Sequence, residues 1–84
     1  MRLLFSTNLP DYDSYIDHSF DVPLTAFEAF NIIRNTYNRD MFYGASHELN
    51  EDDMKNIYIY HPQTGLRVWG IKSADDLMKF LETC

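Results

Sequence analysis

Residues 57–72 read IYIYHPQTGLRVWGIK, and they carry the clearest fold signal in the chain. Isoleucine and tyrosine alternate over residues 57–60, and residues 66–69 alternate in the same way, which is how strands present two faces. Between these runs, Pro62 occupies a position typical of a type I turn. Gly65 follows where a left-handed conformation lets the chain return. The stretch therefore predicts a β-hairpin.

The predicted loop, residues 62–65, sets the register of this hairpin. Four pairs of residues would then face each other: His61 with Leu66, Ile59 with Val68, Tyr60 with Arg67, and Tyr58 with Trp69. One predicted face is aliphatic and consists of Ile57, Ile59, Leu66 and Val68. The other face carries aromatic and cationic side chains: Tyr58, Tyr60, Trp69 and Arg67.

This aromatic face allows three interpretations. Tyr, Trp and Arg dominate protein–protein hot spots, which favours a binding surface. The same residues could instead only shield an open sheet face, or lie beneath a helix. Stacking of nucleic-acid bases is a third possibility, but the negative net charge disfavours it.

The composition is that of one small folded domain. Eighty-four residues with 45% hydrophobic content suffice for a single core, so we expect one domain over residues 1–84. No run approaches the ~18 apolar residues of a membrane span. Cys84 is the only cysteine in the sequence, which excludes an internal disulfide and favours a reducing cytoplasm.

The first half of the chain predicts two strands followed by a helix. Residues 2–6 and 16–22 are expected to form a hairpin, joined by a turn region over residues 7–14. A helix then begins at Thr25, where Glu28 completes a capping box. Its apolar stripe is expected to rest on the sheet.

The second half repeats this order after a long connection over residues 39–56. Within the connection, residues 41–43 predict a short strand or an anchored loop, and Asn50 with Asp53 would cap a brief helical turn. A second long helix begins at the capping box that Ser73 opens. The order ββα(loop)ββα predicts a two-layer α+β domain, with a mainly antiparallel sheet of about four strands and two helices on one face.

Acidic residues concentrate in two segments of a chain whose formal net charge is −6. They are Asp11, Asp13, Asp17 and Asp21 in the first, and Glu48, Glu51, Asp52 and Asp53 in the second. They could serve only solubility and edge protection, could rim an interface, or could mimic nucleic-acid phosphates in a basic groove of the target. The candidate partner-binding residues are Tyr58, Tyr60, Arg67, Trp69, Asp11, Asp13, Glu51, Asp52 and Asp53.

The remaining polar residues form no recognisable catalytic motif. His18 lies on the apolar side of the second predicted strand, where a core histidine is expected, and His61 begins a turn. His47 and Glu48 with a nearby aspartate could hold a metal, which leaves a small metal-assisted hydrolase as an alternative. We expect a protein that is not an enzyme and has neither a cofactor nor a metal.

In size, charge and α+β pattern, the chain resembles the small acidic inhibitors that bacteriophages encode against host defence, such as anti-CRISPR and anti-restriction proteins. The resemblance concerns the character of the whole chain and rests on no motif. It implies an inhibitor in the host cytoplasm that binds a host protein or protein complex, including one that itself binds nucleic acid. Direct binding to nucleic acid or to a membrane is not expected.

Overall fold

The computed structural model describes residues 1–9, 14–22, 25–42 and 48–84. Within these ranges the elements in chain order are β1 (Arg2–Leu9), β2 (Ser14–Asp21), α1 (Ala26–Phe42), α2 (Glu51–Met54), β3 (Ile57–Tyr60), β4 (Arg67–Val68) and α3 (Ala74–Leu81). The strands form one antiparallel sheet in the order β2-β1-β3-β4. The predicted α+β class, with four strands and two longer helices, is confirmed.

The β3–β4 hairpin has the predicted register. Two predicted pairs are present: Ile59 with Val68, and Tyr60 with Arg67. The Gly65 N–H donates to the His61 carbonyl at 2.8 Å, and the φ of Gly65 is 73°, as the turn requires. Leu66 does not join the aliphatic face as predicted, because it lies at the exposed loop end of the hairpin and outside the core.

The first hairpin is longer than the sequence predicts. All eight residues of β1 pair with β2, so the strand continues through Thr7 and Asn8. Thr7 is fully buried, and the Asn8 N–H donates to the Asn56 carbonyl at 2.7 Å. The turn predicted over residues 7–14 was therefore wrong at both ends, since main-chain pairing on both sides of β1 outweighs the polarity of these residues.

The core lies between one face of the sheet and helices α1 and α3. Its buried residues come from both layers: Leu3, Phe5, Ala29, Ile33, Tyr37, Ile57, Ile59, Ile71, Leu77 and Phe80. The hydroxyl of Thr25 accepts the Glu28 N–H at 3.2 Å, which is one half of the predicted capping box. Because α1 and α3 both contribute residues to this one core, both long helices cover the same face of the sheet. None of the described helices is long and apolar enough to cross a membrane.

Helix α1 extends to Phe42, into the segment predicted as a connection. The strand or loop predicted over residues 41–43 was wrong for Met41 and Phe42, which are helical and pack against the core. Tyr43 lies outside the described residues. Burial of these two apolar side chains explains the longer helix, because packing rather than propensity sets most helix lengths.

The last turn of α1 is also attached to the first hairpin through Asp40. Its Oδ2 accepts the Thr7 hydroxyl at 3.1 Å and lies 2.8 Å from Nε2 of His18. The His18 ring is stacked on Phe5 with centroids 5.2 Å apart. His18 therefore has the hydrogen-bonded, half-buried position that the sequence predicts.

Candidate partner-binding surface

The face of the sheet opposite the helices carries the aromatic side chains predicted for the hairpin. Period-two alternation places Tyr58, Tyr60 and Arg67 on this open face, and the chain after β4 adds Trp69. Tyr15, which reaches the same face from β2, lies against Tyr58. We define the aromatic cluster as Tyr15, Tyr58, Tyr60, Arg67 and Trp69.

Tyr58 is the centre of this cluster. Its ring centroid lies 5.4 Å from that of Tyr15, 5.3 Å from Tyr60 and 5.1 Å from Trp69. The guanidinium carbon of Arg67 is 5.2 Å from the centroid of the same ring, within cation–π range. These neighbours leave Tyr58 only 4% exposed. Tyr58 therefore supports the surface from beneath and does not itself offer much area to a partner.

The accessible part of the open face is formed by the side chains around Tyr58. Trp69 is 49% exposed and Tyr15 is 54% exposed, while Tyr60 is half-buried and Arg67 is exposed. Leu4 of β1 pairs with Tyr60 and is exposed on the same face. The result is a set of exposed aromatic and apolar side chains around Tyr58, together with the cation Arg67.

The sequence did not predict that two exposed residues of the open face, Tyr15 and Leu4, belong to this surface. The predicted turn ended at residue 14 and the second predicted strand began at Ile16, so Tyr15 was assigned to neither. Its position one residue before the alternating run Ile16, His18 and Phe20 was the available signal, because it places Tyr15 on the face opposite these residues. The pairing of Leu4 beside Tyr60 depends on strand order, which no local pattern shows.

Hydroxyl groups on the open face make hydrogen bonds within β3 and between β1 and β2. The Tyr60 hydroxyl donates to the Tyr58 hydroxyl at 3.3 Å. On the adjoining strands, the buried Ser6 hydroxyl donates to the Asp17 carboxylate. Burial raises the pKa of the Tyr58 phenol above its ordinary value of 10.0.

The raised pKa of Tyr58 predicts a loss of stability in alkaline solution. The folded state holds this phenolic proton more tightly than the unfolded chain, so the stabilisation is complete below about pH 10 and decreases as the pH rises through the folded pKa. Tyr58→Phe should reduce the alkaline slope of the unfolding free energy. Burial likewise raises the pKa of Tyr37, so some slope should remain.

Urea denaturation between about pH 8 and about pH 11 measures this slope. Tyr15→Phe is the control variant, since it removes an exposed phenol from the same cluster. Equal alkaline slopes for the unsubstituted protein and for Tyr58→Phe would contradict the prediction.

Three carboxylates of the second acidic segment are paired with cations in the described structure. Three ion pairs involve Glu48 with Arg34 at 2.9 Å, Glu51 with Lys72 at 3.2 Å, and Asp52 with Lys55 at 3.6 Å. Glu51 and Asp52 remain exposed, so they can still contribute to the rim of an interface. Asp11 and Asp13, the other predicted rim residues, lie outside the described residues.

Asp53 has a different position from the other predicted rim residues. It is only 7% exposed, and its carboxylate accepts the Asn50 N–H at 3.0 Å and the Tyr37 hydroxyl at 3.1 Å. Its own N–H donates to the Asn50 side chain at 3.0 Å, which completes the predicted capping box of α2. The prediction of an exposed Asp53 was wrong, because this carboxylate joins α2 to α1.

A groove of about 510 Å³ opens beside the cluster, between α2 and the chain that follows β4. The lining residues are Glu51, Met54, Lys55, Trp69, Gly70 and Lys72. Trp69 therefore belongs both to the aromatic cluster and to the wall of the groove. Gly70, which also lines the groove, has a φ of 85°, in the left-handed region that favours glycine.

Fold and surface together define a small α+β domain in which helices cover one face of the sheet, while the other face is aromatic and is covered by no described helix. Comparison with known protein families, with curated proteins and with solved structures found no match to this chain.

Proposed function

We propose that this domain binds a partner protein stoichiometrically and blocks its activity, without catalysing a reaction. The observation that carries the proposal is the open sheet face, where Trp69 and Tyr15 are half-exposed over a buried Tyr58. Contiguous exposed apolar patches on small proteins mark interaction sites. Aromatic residues and arginine are the side chains that most often supply hot-spot energy.

The packing around Tyr58 supports this proposal because it fixes the contact residues before binding. Trp69 and Arg67 both rest on the Tyr58 ring. Side chains that are already ordered lose less conformational entropy when a partner docks. The groove next to Trp69 offers a recess for a partner side chain, and Glu51 supplies a polar edge.

We favour blockade of a protein surface over mimicry of nucleic-acid phosphates. A phosphate mimic needs several carboxylates that are free to meet a basic groove. In the described part of the second acidic segment, however, Glu48, Glu51 and Asp52 have cationic neighbours and Asp53 is buried. The mimic would therefore depend on the first acidic segment, where Asp21 also has a cationic neighbour, Arg2, at 3.5 Å.

The metal-assisted hydrolase has no support among the described residues. Their His, Cys, Asp and Glu side chains form no group of three or more that could hold a metal ion. His47, on which this alternative depends, lies outside the described residues. The resemblance to phage inhibitors favours a host defence protein in the bacterial cytoplasm as the target of the blockade.

Trp69→Ala is expected to weaken partner binding roughly 30-fold or more, which corresponds to about 2 kcal/mol for a hot-spot residue. The thermal midpoint should change little, because about half of the side chain is already exposed. The partner is first captured from bacterial lysate with the tagged protein and identified by mass spectrometry. Its affinity for each purified variant is then measured by calorimetry.

Phe27→Ala is the matched control, since it removes an exposed aromatic ring from α1 on the other side of the sheet. This variant should bind as tightly as the unsubstituted protein. A tight complex that Trp69→Ala leaves unchanged would show that the partner docks elsewhere. An affinity that collapses between low and high salt, with Trp69→Ala neutral, would favour the phosphate mimic instead.

A further inference from the structure

Strand β2 is a long edge strand with one side available for pairing. All eight of its residues pair with β1, and no other described strand pairs with its outer side. The opposite edge of the sheet, β4, has only two residues. A long edge with unpaired N–H and C=O groups is a place where a further strand can add.

The hydrogen bonds of the first hairpin show which main-chain groups point outward. The Val22 N–H donates to the Met1 carbonyl at 2.8 Å, so the main-chain N–H and C=O groups of Val22 point toward β1. Because the main-chain groups of an antiparallel strand alternate in direction, the even-numbered residues of β2 face β1 and the odd-numbered residues face outward. The residues whose main-chain groups point outward are therefore Tyr15, Asp17, Ser19 and Asp21, and we call them the outward residues.

We propose that an extended segment of a partner protein adds to the outer edge of β2, with basic side chains on one face and apolar side chains on the other. This inference rests on the proposed function, since it names the element of the partner that would dock. The side chains of the four outward residues are all exposed and include the carboxylates of Asp17 and Asp21. Asp17 accepts the Ser6 hydroxyl and Asp21 forms an exposed ion pair with Arg2 at 3.5 Å, so the edge retains a net negative charge. Lysine or arginine placed beside them would give favourable cross-strand pairs.

The other face of β2 specifies the apolar half of this partner segment. Ile16 and Phe20 are half-buried at the margin of the core, because no described strand covers their outer side. An added strand would place its alternate side chains next to these two residues and remove more of their surface from water. The preferred segment therefore alternates basic and apolar residues.

A second copy of this chain fits the edge poorly. Antiparallel pairing of β2 with β2 would bring Asp17 and Asp21 of two copies close together. Like charges across neighbouring strands are unfavourable, and each chain already has a net charge of −6. Charged side chains on an edge strand are also a usual protection against self-association. The charge thus selects a basic partner strand.

The test uses a synthetic peptide of about eight residues, matched to the length of a typical strand, in which lysine alternates with valine. Amide hydrogen exchange of the whole 84-residue protein is followed by NMR with and without the peptide. We expect exchange of the four outward amides to slow at least about tenfold, while the amides that already face β1 change little. A control peptide with glutamate in place of lysine should have no effect.

Two variants connect this protection to the edge of β2. Ser19→Pro removes one outward N–H at a kind of position where edge strands tolerate proline, and it should abolish the protection. Asp21→Lys tests the charge requirement independently, and it should weaken peptide binding roughly fivefold to tenfold. Glu82→Lys changes the net charge by the same amount as Asp21→Lys, but at the end of α3. It should leave peptide binding unchanged.

Three outcomes would overturn the proposal. Protection could be absent, it could be equal with both peptides, or it could rise with protein concentration in the absence of peptide, which would assign the edge to a second copy. The peptide test involves no native partner and does not depend on Trp69. A failure here is therefore distinguishable from a failure of the proposed docking on the open face.

Discussion

Replacement of Tyr58 by alanine is expected to lower the free energy of unfolding by about 3–5 kcal/mol. The ring is 4% exposed and contacts Tyr15, Tyr60 and Trp69, so its removal leaves a cavity beneath the aromatic cluster. A domain of this size has only about 5–15 kcal/mol of stability in total. The thermal midpoint should therefore fall by tens of degrees, at about 4–8 °C per kcal/mol. Urea denaturation followed by circular dichroism gives the free-energy change directly.

Tyr15→Ala is the matched control for this prediction, because it removes a tyrosine of the same cluster that is 54% exposed. Its expected effect is below about 1 kcal/mol. If Tyr58→Ala were as harmless as Tyr15→Ala, the account of Tyr58 as the buried support of the surface would be wrong. If the prediction holds, Tyr58 variants are unsuitable for mapping a partner, and substitutions at Trp69 are the informative ones.

The contrast between Tyr58 and Trp69 shows what local sequence patterns could predict. The hairpin and its register follow from a few neighbouring residues, since Pro62 and Gly65 fix the loop and alternation fixes the faces. Both residues were correctly placed on one face. The burial of Tyr58 also needs Tyr15, which arrives from a strand two positions away in the sheet. No pattern within residues 57–72 contains that information.

The ends of elements were harder to predict for a related reason. Thr7 is polar and lies in the segment predicted as a turn, yet it is buried and its hydroxyl donates to Asp40. Met41 and Phe42 remain helical because they pack against the core. In each case a contact with a distant part of the chain outweighs the local signal. The caps at Asn50 and Ser73 were predictable because their partners lie three residues away.

Asp53 makes one contact that the local sequence predicts and one that depends on a distant part of the chain. Asp53→Ala is expected to lower the free energy of unfolding by about 2–4 kcal/mol. The capping box with Asn50 is local and was predicted, whereas the hydrogen bond from Tyr37 depends on how α1 and α2 meet. Alanine leaves the Asn50 N–H and the buried Tyr37 hydroxyl without this acceptor. The loss of the helix cap and of a buried hydrogen bond accounts for the expected size.

Asp52→Ala provides the comparison that separates a structural carboxylate from an interface carboxylate. Asp52 adjoins Asp53 in α2, but its side chain is exposed and its ion pair with Lys55 spans 3.6 Å. Exposed pairs of this kind contribute little, so its expected effect on stability is within about 0.5 kcal/mol. Urea denaturation of the two variants should therefore differ clearly. Equal stability for both would mean that Asp53 does not join α2 to α1, and it would return Asp53 to the exposed rim that the sequence predicted.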